Sequence, residues 1–207
     1  MRSIASGSIS GSFDFGGLLM RSPIAPWFED YNEEALHVGA LLTGYGELEF
    51  EAYACAAEAM GNSDLTFRLL FRLRSESQRI DAFDTMLMPT VSKFELEGPY
   101  AHIIGALRHC RSIRNVYAHS HWHFPVEGNR LYHCSLEDAA KKGSEAHMIK
   151  MNPVFLPLLK QQVLYFEYCM NGLQWLRHEM IRLDGGPKHS YTAPKGLPKP
   201  SLGSHLD

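Results

Sequence analysis

The sequence predicts a mainly α fold: a four-helix up-down bundle with a small β-hairpin insertion before the last helix. Three observations lead there. Apolar residues recur at helical spacing over four long stretches. Cap and turn residues separate those stretches. Only the segment around His121 to Cys134 switches to alternation, about a Gly128-Asn129 pair. The 207 residues amount to one domain with tails, and 45% apolar content with 11% aromatics supports a packed core.

Residues 1 to 24 are rich in Ser and Gly and hold no period, so they read as a flexible leader, with Met20 as an alternative start. The first helix spans about 29–60. Pro26 suits its entry, acidic residues from Glu29 to Glu34 favour its first turn, and Leu36, Leu41, Leu48, Ala52 and Cys55 recur at helical spacing. Gly44 and Gly46 mark a kink or a close helix approach, and Gly61-Asn62 a C-cap. Ser63-Asp64 caps a second helical region that Pro89 ends near Met88. There Arg68, Arg72 and Arg79 form either a solvated face with local ion pairs or a basic rim for phosphate.

Gly98-Pro99 opens a third helix, with Ile103, Leu107, Cys110, Ile113 and Tyr117 on one face and Arg108, Arg111 and Arg114 on another. The hairpin follows, then a polar segment from Glu137 to Ser144 and a short strand at 146–151. Asn152-Pro153 starts a final apolar helix to 183, the expected centre of packing. The helical domain is thus 25–183. The Pro-, Gly- and Lys-rich tail, 184–207, reads as disordered.

Charge and motifs narrow the function. A formal charge of −3 gives no global nucleic-acid signature, so any nucleic acid needs a local basic patch. No window approaches the roughly 18 apolar residues of a membrane span, and no signal-peptide pattern is present, so a cytoplasmic protein is expected. No Walker loop, GxGxxG, GxSxG or HExxH occurs, which disfavours dinucleotide enzymes and serine hydrolases. Cys55, Cys110, Cys134 and Cys169 form no CxxC and are expected as buried free thiols.

Polar chemistry concentrates in one stretch, Arg111-Ser-Ile-Arg114-Asn115-Val-Tyr-Ala-His119-Ser-His121-Trp-His123. A guanidinium fork suits phosphate, and an imidazole gives or takes a proton near neutral pH. Together they suffice, in kind, for metal-free phosphodiester cleavage. Residues five apart on a helix lie about 140° apart around its axis. Arg114 and His119 therefore converge only if the helix ends before His119, or if two subunits share the site. The bland alternatives are an ion pair from Arg114 to a carboxylate such as Glu49, and a His119 held by the helix dipole. An extended His119-His121-His123 run with His133 would offer a metal site, but it straddles a helix end.

Arg114-Asn115-Val-Tyr-Ala-His119 resembles the signature of HEPN domains: an arginine, a polar neighbour, then a histidine a few positions on. The "GELEFEAY" of the first helix is similar to the acidic helix that precedes the motif there, and the resemblance spans about 29–183. It implies an all-α bundle, a homodimer with the motif at the interface, and a metal-independent endoribonuclease of toxin–antitoxin or phage-defence type that uses the RNA 2′-hydroxyl. It implies Arg114, His119 and Asn115 as catalytic, with Glu49, Glu47, Arg111 and His121 in support. RNA is then the substrate, with no DNA, no metal and no cofactor expected, and an antitoxin or neighbouring regulatory protein is a possible partner. Inactive nucleotide- or protein-binding modules share the fold, so the family leaves that alternative open.

Overall fold

The computed structural model describes residues 30–123, 130–141 and 149–203. The leader and the hairpin turn lie outside them. The chain is mainly helical: α1 (Asn32–Met60), α2 (Ser63–Arg72), α3 (Glu76–Lys93), α4 (Glu97–Ala118), β1 (Ser120–His123), β2 (Tyr132–Ser135), α5 (Leu136–Lys141), β3 (Asn152–Pro153) and α6 (Leu156–Leu183). The strands form one antiparallel sheet in the order β1-β2-β3.

Helix α1 is the hub. It packs along α6 and touches α2, α3 and α4, whereas α6 packs on α1 and α4. The expected central role of the last helix is therefore shared, because α1 carries a buried stripe from Val38 to Ala56 that meets several neighbours. Leu41, Cys55, Leu87, Ile113, Leu159 and Leu173 are fully buried where these helices meet. Burial of such side chains, about 1.5–3 kcal/mol each, holds the assembly. Gly44 and Gly46 do not break α1. Gly44 lies against Phe166, while Gly46 meets nothing.

The second helical region is two helices. Arg74 and Ser75 interrupt it, and Asn62 rather than Ser63 caps the first part, its Oδ1 accepting from Leu65 N–H at 3.0 Å. Pro89 does not end the second part but lies inside α3. Leu87 and Val91, both fully buried, flank it and keep that face in the core despite the one N–H that proline forfeits. The helix ends instead in a Schellman turn. Leu96 N–H donates to Val91 O at 3.0 Å and Glu95 N–H to Ser92 O at 3.3 Å, with Glu95 at φ 56°. The polar segment expected after the hairpin begins as α5; the third strand falls at 152–153, 149–151 carry no strand, and 146–148 of the expected strand lie outside the described residues.

Residues 184–203, read from composition as disordered, are placed without helix or strand along α6. Gly185, at φ 98°, turns the chain, and Gly186 N–H donates to Ile181 O at 2.9 Å. A Cβ on Gly186 would fall 2.7 Å from that carbonyl, so the second glycine is required. The tail then runs antiparallel to α6. His189 Nε2 donates to Glu179 Oε2 at 2.9 Å, Tyr191 stacks on His178 at 4.8 Å, and Pro194 approaches Gly172. Fully buried Gln162 donates to Ser201 O at 2.7 Å, and His109 Nε2 donates to Pro200 O at 2.8 Å. The extended backbone gains partners from buried side chains, which composition does not register.

Candidate functional site

Helix α4 ends at Ala118. His119 is its C-cap, at φ −107° and ψ 13°, with its N–H shared between Asn115 O and Tyr117 O. The termination swings His119 off the helical path. Arg114, Asn115 and His119 consequently line one open cleft, together with Arg74 and Ser75 from the α2–α3 break and Arg111 one turn earlier on α4. The cleft at His119 itself measures about 450 Å³.

Arg114 Nη1 donates to Asn115 Oδ1 at 3.1 Å and pairs with Glu76 Oε1 at 3.0 Å. The carboxylate facing the motif is therefore Glu76 on α3. Glu49 instead pairs with Arg79 at 2.7 Å, an ion pair that also receives the α2–α3 connection through Arg79 Nη1 and Leu73 O. Glu47 lies elsewhere, in an apolar groove of about 380 Å³ between α1 and α6. Of the helix-face arginines, Arg68 pairs with Asp64 and Arg108 with Asp81 and Asp84.

Arg74 and Arg111 have no carboxylate partner among the described residues, so three guanidinium groups face one carboxylate in this cleft. Arg111 Nε is buried and makes no hydrogen bond among the described residues. The same holds for the Tyr45 hydroxyl, which feels the charges of Glu49, Glu76, Arg111 and Arg79. Burial, and then Glu49, push that phenol above its usual value, so Tyr45 is a neutral donor. An anion held by Arg74, Arg111 and Arg114 would satisfy a site otherwise short of acceptors.

Beyond Asn115 and His119 lies a second cavity of about 540 Å³, which both residues also line. Its other walls come from Ser112, the sheet, α5, and Leu202 and Gly203 of the tail. His121 and His123 occupy the exposed positions of β1, whereas Trp122 pairs with His133 on the other face. Trp122 and His133 each pack within 6.0 Å of Tyr117, which is a core residue. His121 and His123 thus do not share a face with His133. The described residues hold no group of three or more His, Cys, Asp or Glu placed to bind a metal ion.

Arg74 and Ser75 were not singled out by sequence, although the polar Arg74-Ser75-Glu76-Ser77 run interrupts the apolar period and marks the break. Leu202 and Gly203 carried no signal. No family model matches the chain, and neither does any curated protein or solved structure.

Proposed function

We propose that the arginine cleft binds a phosphodiester and that the chain is a metal-independent endoribonuclease of the HEPN type, with α1, α3, α4 and α6 as a four-helix up-down bundle. The observation that carries this reading is the convergence of Arg74, Arg111 and Arg114 with Asn115 and His119 around a single carboxylate, in a chain whose net charge is −3. Arginines stabilise the phosphorane-like charge, and His119 transfers a proton to or from the reacting oxygens. The ribose 2′-hydroxyl attacks phosphorus, the 5′-oxygen leaves, and a cyclic phosphate remains.

The resemblance further suggests a cytoplasmic homodimer with the motif at the interface, restrained by an antitoxin or neighbouring protein. The partly exposed aromatic cluster of Phe50, Tyr53, Phe67 and Phe71 on α1 and α2 supplies an apolar surface for such contacts. No helix among the described residues is long and apolar enough to cross a membrane.

The test is cleavage of total bacterial tRNA in excess EDTA, wild type beside His119→Ala, with the 3′ ends examined for cyclic phosphate. Chelator-resistant cleavage lost in the variant supports the reading, and equal inactivity of both overturns it. The Arg114–Glu76 ion pair favours a second reading, a non-catalytic nucleotide- or protein-binding module in which Arg114 is structural. Nucleotide binding without turnover would select that one.

A further inference from the structure

Helix α2 is ten residues long, yet only Thr66 and Leu70 of it are buried. Leu65, Phe67, Leu69 and Phe71 are 40–49% exposed. By helical spacing Asp64, Arg68 and Arg72 form the outward crest of α2, at i, i+4 and i+8. Leu65 and Leu69 border that crest on one side, and Phe67 and Phe71 on the other. Phe50 of α1, 57% exposed, widens the aromatic side through Tyr53, whose ring lies 5.7 Å from those of Phe50 and Phe67. Arg68 pairs with Asp64 at 3.0 Å, whereas Arg72 has no carboxylate partner among the described residues. A charged crest between two exposed apolar flanks is the composition of a protein contact.

The pattern is symmetric about Arg68. We propose that this face binds a second copy of the chain, with the two α2 helices antiparallel about a two-fold axis at Arg68. The proposal names the contact of the homodimer reading above and does not depend on RNA cleavage. The axis sets Asp64 of each copy against Arg72 of the other, Phe67 against Phe71, and Leu65 against Leu69. Arg72, unpaired within one copy, gains its carboxylate from the second. Arg68 meets its own counterpart on the axis, and there each is already neutralised by its own Asp64. The five exposed apolar side chains amount to roughly 400–500 Å² per copy, and the charged crest extends this toward the approximately 800 Å² of a stable interface. A nucleic-acid strand stacked on the phenylalanines would leave Leu65 and Leu69 uncovered, and a foreign partner would need no symmetry about Arg68. Arg74, two residues beyond Arg72, lines the arginine cleft, so this contact adjoins the candidate site.

The experiment is sedimentation velocity of the full chain over a concentration series. Wild type is expected to dimerise, and Phe67→Ser/Phe71→Ser, at exposed positions, to weaken the dimer about tenfold or more. Charge reversal tests the register. Asp64→Arg and Arg72→Asp each set like charges across the axis, and each should weaken self-association about tenfold or more. An equimolar mixture of those two variants should recover the dimer, because each then offers the other opposite charges. A monomeric wild type, or a mixture that stays monomeric, overturns the contact. A dimer indifferent to the α2 variants but broken by Arg114→Glu overturns it in favour of the motif. In a monomer, slow maleimide labelling of Phe67→Cys would assign the face to cover by residues 1–29. Single-stranded RNA binding lost in the phenylalanine variant would assign it to nucleic acid. Either result overturns the contact. A dimer with this register but no RNA cleavage would uphold it and reject the ribonuclease, and cleavage by a strict monomer would do the reverse.

Discussion

Arg114 Nη1 lies 3.0 Å from Glu76 Oε1, joining α4 to α3 across the mouth of the candidate cleft. The side chains are 29% and 20% exposed, so the pair is partly screened and contributes about 1 kcal/mol at most to stability. Its larger effect is on the cleft, because the carboxylate competes with any incoming anion for the guanidinium. Glu76→Gln is expected to tighten inorganic phosphate binding roughly fivefold, or about 1 kcal/mol, with little loss of stability. Weaker binding in the variant would show instead that Glu76 holds Arg114 in its working position.

Binding of single-stranded RNA should depend on salt to a modest degree. With three arginines on the cleft, about two to three phosphates are neutralised. The slope of log K against log salt is then expected near −2, taking about −0.7 per phosphate for a single strand. Fluorescence anisotropy across a salt series measures it. A slope near zero would mean that the arginines do not meet phosphate.

The tail is clamped by Glu179. Hydrogen bonds from Arg182, at 2.6 and 2.8 Å, and secondarily from His189 hold its carboxyl well below the usual range, at about 2. A depressed carboxylate stabilises the fold above its unfolded-state value, near 4.5, and that contribution disappears as pH falls toward 2. The stability gap between wild type and Glu179→Gln, on the order of 1–2 kcal/mol at pH 7, should therefore narrow between pH 5 and pH 2. Urea midpoints at several pH values check this. At pH 7 the variant should also be cut by trypsin after Lys188 and Lys195 faster than wild type.

Glu95 occupies the left-handed position that closes α3, at φ 56°. A side chain pays strain there that glycine avoids. Glu95→Gly is expected to raise stability by about 0.5–1 kcal/mol in chemical denaturation. A loss of stability would mean that the Glu95 side chain makes a stronger contact than the strain it carries.

All four cysteines are buried and unpaired. Burial raises the thiols of Cys55, Cys110 and Cys134 above their usual values, so little nucleophilic thiolate forms. A disulfide-exchange reagent should titrate none of them at pH 8 in the native protein and all four in denaturant.

The sequence by itself determined the helical character, the hairpin position and the place where α4 gives way to a strand. Those follow from local period and local caps: Ala118 ends an apolar stripe, and Ser120 to His123 alternates. It also placed Arg111, Arg114, Asn115 and His119 in one stretch at a helix end, but their convergence on one cleft depended on α4 stopping at Ala118. Only the tertiary structure decided which carboxylate faces Arg114. Glu49 and Glu76 both lie near Tyr45, and Arg79 takes the first and leaves the second. Tertiary structure likewise brought Arg74 to the cleft and sent Glu47 into an apolar groove. It decided the path of the tail as well, because Gln162 and His109 are fixed by packing before they meet Ser201 and Pro200. Charge partners and extended segments are chosen by distances between elements far apart in the chain, and a sequence period carries no record of those distances.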